Sequence, residues 1–148
     1  MDKETVNSLV AEAQHIAENA GNLIMTFFDE LAEEEVEYKA DQSPVTLADK
    51  AANKQIVDEL INLDDSIPII SEESALPDFG ERSRWTRYWL VDPLDGTKEF
   101  VNRNGEFTVN IALIENHTPV LGWVGVPVKE QVYFGNVPAG IAWVENAE

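Results

Sequence analysis

A chain of 148 residues, 44% of them hydrophobic, is long enough for one domain with a real core and shows no low-complexity or disordered composition. The absence of cysteine excludes disulfides, thiolate metal sites and a cysteine nucleophile. The formal charge of −18 lies far beyond the magnitude of about 2–8 usual for a small domain, which argues against a nucleic-acid duplex as partner and means that an anionic substrate needs intervening cations.

Val6, Leu9, Val10, Ala13, Ile16, Ala17, Ala20, Leu23, Ile24, Phe27, Phe28 and Leu31 recur at three- and four-residue spacing, which predicts a long amphipathic helix. Gly21 interrupts it at a cost of about 1 kcal/mol relative to alanine, so a close helix approach or a slight bend is expected there. Up to Tyr38 the only lysine or arginine is Lys3, and the run Glu33-Glu34-Glu35 reads as a solvated helix end or loop. Glu35 to Lys39 alternates weakly, as an edge strand would. A polar loop from Ala40 to Ser43 then leads to a second helix, capped by Thr46 and running through Ala51, Ile56, Leu60 and Ile61.

Ile67–Ile70 is the next apolar run, followed by a loop through Leu76, Pro77 and Gly80. Trp89-Leu90-Val91 is a buried-strand run that Pro93 should end near Asp92, because proline cannot continue a central ladder. A short helix or turn follows. Strands are then expected at Phe107–Ile114, Val120–Val126, Gln131–Phe134 and Ile141–Val144, separated by turns at Glu115–Thr118 and Asn136–Gly140. The fold class is α+β: two helices packed on a mostly antiparallel sheet, in a single domain covering residues 1–148. His15 falls in the first helix and His117 in a turn, too isolated for a zinc site. Tyr88, Trp85 and Trp89 read as packing residues rather than as a base-stacking platform. The N-terminus has no basic and apolar leader, and no apolar run reaches the roughly 20 residues of a membrane span, so the expected location is the cytoplasm.

Chemistry concentrates where elements end. Asp92-Pro93-Leu94-Asp95-Gly96-Thr97 sets two carboxylates on a stiff bend; Ser71-Glu72-Glu73 adds a second acidic pair after an apolar run; Asp49 stands at a helix start. Hard divalent cations take oxygen ligands of this kind, and free N–H groups at a helix start suit phosphate. Asp-Pro and Asp-Gly are also ordinary solvated turn dipeptides, so it is the three segments together that point to a metal and phosphate site.

These three segments, Pro44-Val45-Thr46-x-Ala48-Asp49, Ser71-Glu72-Glu73 and Trp89-Leu90-Val91-Asp92-Pro93-Leu94-Asp95-Gly96-Thr97, resemble the lithium-sensitive, magnesium-dependent phosphatases of the inositol monophosphatase superfamily. Lys98-Glu99-Phe100 and Asn104-Gly105-Glu106-Phe107-Thr108-Val109-Asn110 resemble its bacterial 3′(2′),5′-bisphosphate nucleotidases, where inositol monophosphatases more often carry Thr-Asn-Phe. The resemblance implies two or three Mg²⁺ ions held by Glu72, Asp92, the Leu94 carbonyl and Asp95, with Asp92 bridging two of them. It implies that Asp49 and Thr97 are the catalytic pair that prepares the attacking, metal-activated water, and that Glu72, Leu94, Asp95, Gly96 and Thr97 line the small-molecule phosphate substrate. Glu73 is left as either a supporting carboxylate or an exposed loop acid, and Lys98 as either a positive charge near substrate or a surface residue. Asp49 also has a mechanical reading, as the acid three residues past a threonine cap.

The implied activity is hydrolysis of the 3′-phosphate of adenosine 3′,5′-bisphosphate; an inositol or sugar monophosphatase, or an inactive fragment, are the alternatives. The resemblance covers the family's N-terminal half alone. The later Trp-Asp-x-Ala-Ala-type motif, which carries the family's remaining metal ligand, does not occur here; Trp143-Val144-Glu145-Asn146-Ala147 is no match. A homodimer or a C-terminal half is therefore the expected protein partner.

Overall fold

The computed structural model describes residues 2–28, 30, 36–40 and 44–146. Two long helices, α1 (Lys3–Phe28) and α2 (Leu47–Leu63), lie on one face of a six-stranded sheet. The strands follow chain order: β3 (Ile69–Ser71), β4 (Arg87–Asp95), β5 (Thr108–Glu115), β6 (Thr118–Val126), β7 (Gln131–Asn136) and β8 (Ile141–Asn146). Every neighbouring pair is antiparallel except β3 and β4, which run parallel and are joined by residues 72–86, with a short helix, α3 (Phe79–Arg82), on the way. The mostly antiparallel α+β architecture expected from the sequence is thus what forms, with one parallel pair at its edge. No helix among the described residues is long and apolar enough to cross a membrane.

The core is the interface between helices and sheet. Leu9, Ala13, Ile16, Ala20 and Ile24 of α1 and Ala52, Ile56 and Leu60 of α2 meet Trp89, Val91, Ile111, Leu113, Trp123 and Phe134. Alternation along the strands does this: the residues between them point away from the helices, and Leu90, Val124, Tyr133 and Val144 are exposed. Trp89 is fully buried with its ring 6.0 Å from that of Trp123, a packing residue as the sequence suggests. Gly21 faces Pro127, where a Cβ would sit 3.5 Å from the ring; the approach is close but leaves room for a methyl group.

Glu37–Tyr38 (β1) is an edge strand as read, though of a separate two-stranded ladder: it pairs with Pro44–Val45 (β2), which leads into α2. Two expectations change. The loop beyond Leu76 contains α3, whose cap is Asp78, accepting the Gly80 N–H at 3.0 Å. Most informative is Pro93, which does not end β4. The ladder to β5 steps from Asp92↔Asn110 to Asp95↔Thr108, one residue more on β4 than on β5, so the proline sits in a bulge. On the other side β3 has already ended, its last partner pair being Ser71↔Val91. Pro93 therefore occupies an edge position, where its missing donor breaks no ladder. Leu31, the Glu33–Glu35 run and residues 41–43 lie outside the described residues.

Candidate active site

Glu72 follows directly after β3, and its N–H donates to the Val91 carbonyl at 3.0 Å, which continues the parallel ladder by one step. That bond brings Glu72 beside Asp92 at the point where β4 enters its bulge. The bulge carries the chain to Asp95 and Gly96. Gly96 has φ of +89°, and a Cβ there would lie 3.1 Å from Glu99 Oε2 and 3.3 Å from the Glu106 carbonyl. Both the backbone conformation and the space require glycine. The turn opens α4 (Thr97–Val101), too short for a substantial helix dipole, so any anion contact there rests on individual N–H groups.

Glu72, Asp92 and Asp95 line one open cavity of about 610 Å³, with Ser71, Ser74 and Asn110 beside them and Leu76, Leu90 and Val124 along its apolar side. Burial first, then the charges of Asp95 and Glu72, push the Asp92 carboxyl up to about 6, although the Leu94 N–H bond works in the other direction. The Leu94 carbonyl accepts from Thr97 Oγ1 at 3.3 Å.

Asp49 is completely buried, and both its oxygens accept hydrogen bonds. One oxygen accepts the Thr46 N–H at 2.7 Å and the Thr46 hydroxyl at 2.6 Å, while the other accepts the Thr97 hydroxyl at 2.8 Å. Its N–H returns to Thr46 Oγ1 at 3.3 Å, which completes the capping box at the start of α2. The mechanical role and the bond to Thr97 therefore use different oxygens of one carboxylate. Both hold.

Lys39 was not singled out from the sequence. Its ammonium lies 2.7 Å from Glu73 and 3.8 Å from Glu72. Burial opposes its charge, but the bond to Glu73 and the charges of Glu73, Glu72 and Asp49 prevail and raise its pKa. Glu73 is accordingly no exposed loop acid: only 9% of its side chain is accessible and it is ion-paired. Lys98 is exposed at the surface of α4. The one signal for Lys39 in the sequence is its position, the first basic residue after a long acidic stretch and just ahead of the Pro44-Val45-Thr46 motif.

Among the described residues no three acidic or imidazole groups form a closed ligand cage. Glu72 is largely exposed, and Asp95 is exposed. Yet the donor set suits Mg²⁺, which prefers a few carboxylates and completes its octahedron with water and substrate phosphate. The charges of Asp95 and Glu72, which add to burial in raising the Asp92 carboxyl, are a local excess of negative charge that a cation would relieve.

Comparison with known proteins decides the family. The profile of the inositol monophosphatase family matches residues 6–144. The chain belongs to the inositol monophosphatase family. It is 52% identical over 130 residues to the 3′(2′),5′-bisphosphate nucleotidase CysQ of Escherichia coli K12, an alignment covering 88% of this chain and 52% of that protein. Among solved structures of this family, CysQ from Bacteroides thetaiotaomicron superimposes with a TM-score of 0.77 at 40% identity, covering 97% of this chain and 50% of that one. The extragenic suppressor protein SuhB from Bartonella henselae gives a TM-score of 0.82 at 26% identity, covering 95% of this chain and 53% of that one. The chain thus spans about half the length of these relatives.

Proposed function

We propose that this chain carries the metal-binding and water-activating part of a Mg²⁺-dependent phosphomonoesterase that removes the 3′-phosphate of adenosine 3′,5′-bisphosphate. The observation that carries the reading is the gathering of Glu72, Asp92 and Asp95 around one cavity, together with the Asp49–Thr97 bond. Glu72, Asp92, the Leu94 carbonyl and Asp95 would hold two or three Mg²⁺ ions, which neutralise the phosphate and stabilise charge on the attacking and leaving oxygens when bound.

The chain's own residues do the rest. Asp49 is held by two donors from Thr46, so its second oxygen stays aimed at Thr97. Thr97 gives its proton to that oxygen and keeps oxygen lone pairs for the attacking water, a general-base relay. Water oxygen bonds to phosphorus, the bond from phosphorus to the 3′-oxygen breaks, and the ribose oxygen regains a proton from solvent. Adenosine 5′-phosphate and inorganic phosphate are the products. The substrate reading is supported by the Lys98-Glu99-Phe100 and Asn104–Asn110 segments and by 52% identity to a protein named for bisphosphate nucleotides.

The test uses a form extended to the length of its relatives. That form should turn over adenosine 3′,5′-bisphosphate with a higher kcat/KM than inositol 1-phosphate, be inhibited by lithium, and lose metal-dependent activity in Asp92→Asn. Equal or better turnover of inositol 1-phosphate would favour an inositol or sugar monophosphatase. Undiminished activity of Asp92→Asn at saturating Mg²⁺ would sink the site assignment.

A further inference from the structure

Asn53 stands one helical turn beyond Asp49 on α2, so both side chains leave the same face of the helix. Asp49 reaches Thr97. Asn53 reaches the turn that carries Glu72, and it takes hold of that turn on both sides. Its Oδ1 accepts the Ser71 hydroxyl at 2.5 Å, and its Nδ2 donates to Ser74 Oγ at 3.0 Å. Ser71 is buried, its Oγ also accepts the Glu73 N–H at 3.4 Å, and its carbonyl accepts the Ser74 N–H at 3.2 Å.

The Glu72 side chain is 62% exposed and has Lys39 at 3.8 Å, so packing does little to place it. Its position is set by the backbone of residues 71–74, which hangs from the Val91 carbonyl on one side and Asn53 on the other. We infer that Asn53 is a positioning residue, whose amide fixes the turn so that Glu72 meets a divalent cation beside Asp92; this rests on the reading of Glu72 and Asp92 as cation ligands. The amide carries an acceptor and a donor on one carbon, and so serves both serines as they stand. Alanine offers neither, and aspartate keeps the acceptor, loses the donor and adds a negative charge to an already repulsive cluster. One helix would then set both halves of the site, Asp49 for the water and Asn53 for the metal carboxylate.

Mn²⁺ is the probe, its binding to the 148-residue chain followed by electron paramagnetic resonance. Loss of a group that orients a ligand weakens metal binding by about 10–100-fold, and Asn53→Ala should fall in that range with its near-ultraviolet circular dichroism unchanged. Adding Ser71→Ala to Asn53→Ala should bring only a small further loss, because the bond the two residues share is already gone and only the 3.4 Å contact from the Glu73 N–H to Ser71 Oγ is left to remove. Ser74→Ala, which removes only the outer arm, should give a smaller loss, and it serves if Asn53→Ala does not fold. Without metal, Asn53→Ala should speed amide exchange at Glu73 and Ser74 while β4 to β6 stay protected. Mn²⁺ binding by Asn53→Ala equal to wild type, with Asp92→Asn abolishing it, overturns the role of Asn53. Binding indifferent to Asp92→Asn overturns the metal reading itself, and the inference with it.

Discussion

Asp92 is where folding and chemistry oppose each other. Burial and the neighbouring charges of Asp95 and Glu72 raise its carboxyl from 3.8 to about 6. A carboxyl whose pKa is higher folded than unfolded favours the fold while protonated. That contribution is complete below about 4, is lost as pH rises toward 6, and is absent at pH 7. Asp92→Asn keeps the shape without the charge. In EDTA it should melt higher than wild type at pH 7, and the gap should shrink by pH 4. Saturating Mg²⁺ should narrow the pH 7 gap as well, by stabilising wild type alone. Thermal denaturation of both proteins at the two pH values measures this, and an asparagine variant less stable than wild type at pH 7 would contradict it.

At the scale of elements, α4 cannot hold itself. It is five residues long, far short of what an isolated helix needs. Phe100 is its anchor, fully buried with its ring 5.5 Å from Phe28 of α1 and 5.2 Å from Phe107, the residue just before β5. Phe100→Ala should cost about 3–5 kcal/mol in urea denaturation. It should also release Thr97 from Asp49, which a hydroxyl-sensitive NMR signal of Thr97 would report; retention of that signal would show that α4 is held elsewhere. By contrast Thr46→Ala removes a cap, with an expected cost of about 1 kcal/mol.

The same contrast explains what could be read from the chain alone. The α2 cap and the period-two strands are local patterns, and they formed as read. The Asn116-His117 turn is local too: both residues take positive φ in a two-residue hairpin loop between β5 and β6. Pro93 misled because whether proline ends a strand depends on whether a neighbour needs its donor, which is set by where β3 stops. Asn53 gave no pattern at all, and Lys39 none beyond its place after the acidic stretch. Each acts through partners 18 to 34 positions away, and such pairs are decided by packing.

For the whole molecule the decisive feature is the sheet face opposite the helices. Leu90, Val124, Tyr133 and Val144 are 38–49% exposed there, and the open cavity beside the carboxylates runs onto this face. Contiguous apolar surface of this kind marks an interaction site or an aggregation liability. The net charge of −18 opposes self-contact, and salt screens that repulsion within about 8 Å at physiological strength. The 148-residue chain should therefore self-associate increasingly as salt is raised, and Val124→Lys with Tyr133→Lys should suppress this without lowering the melting temperature. Sedimentation velocity at low and high salt tests it. The same openness bears on activity. A site facing water has weak electrostatic contacts, because the solvent's dielectric acts on each of them. Phosphate monoesters demand accelerations of up to ~10²¹, which a clamp this open to water will not supply. With Mg²⁺ present, the chain alone should show little or no turnover of adenosine 3′,5′-bisphosphate, and adding a segment matching the unmatched half of its relatives should restore it. Full activity from a monomeric chain would prove both expectations wrong.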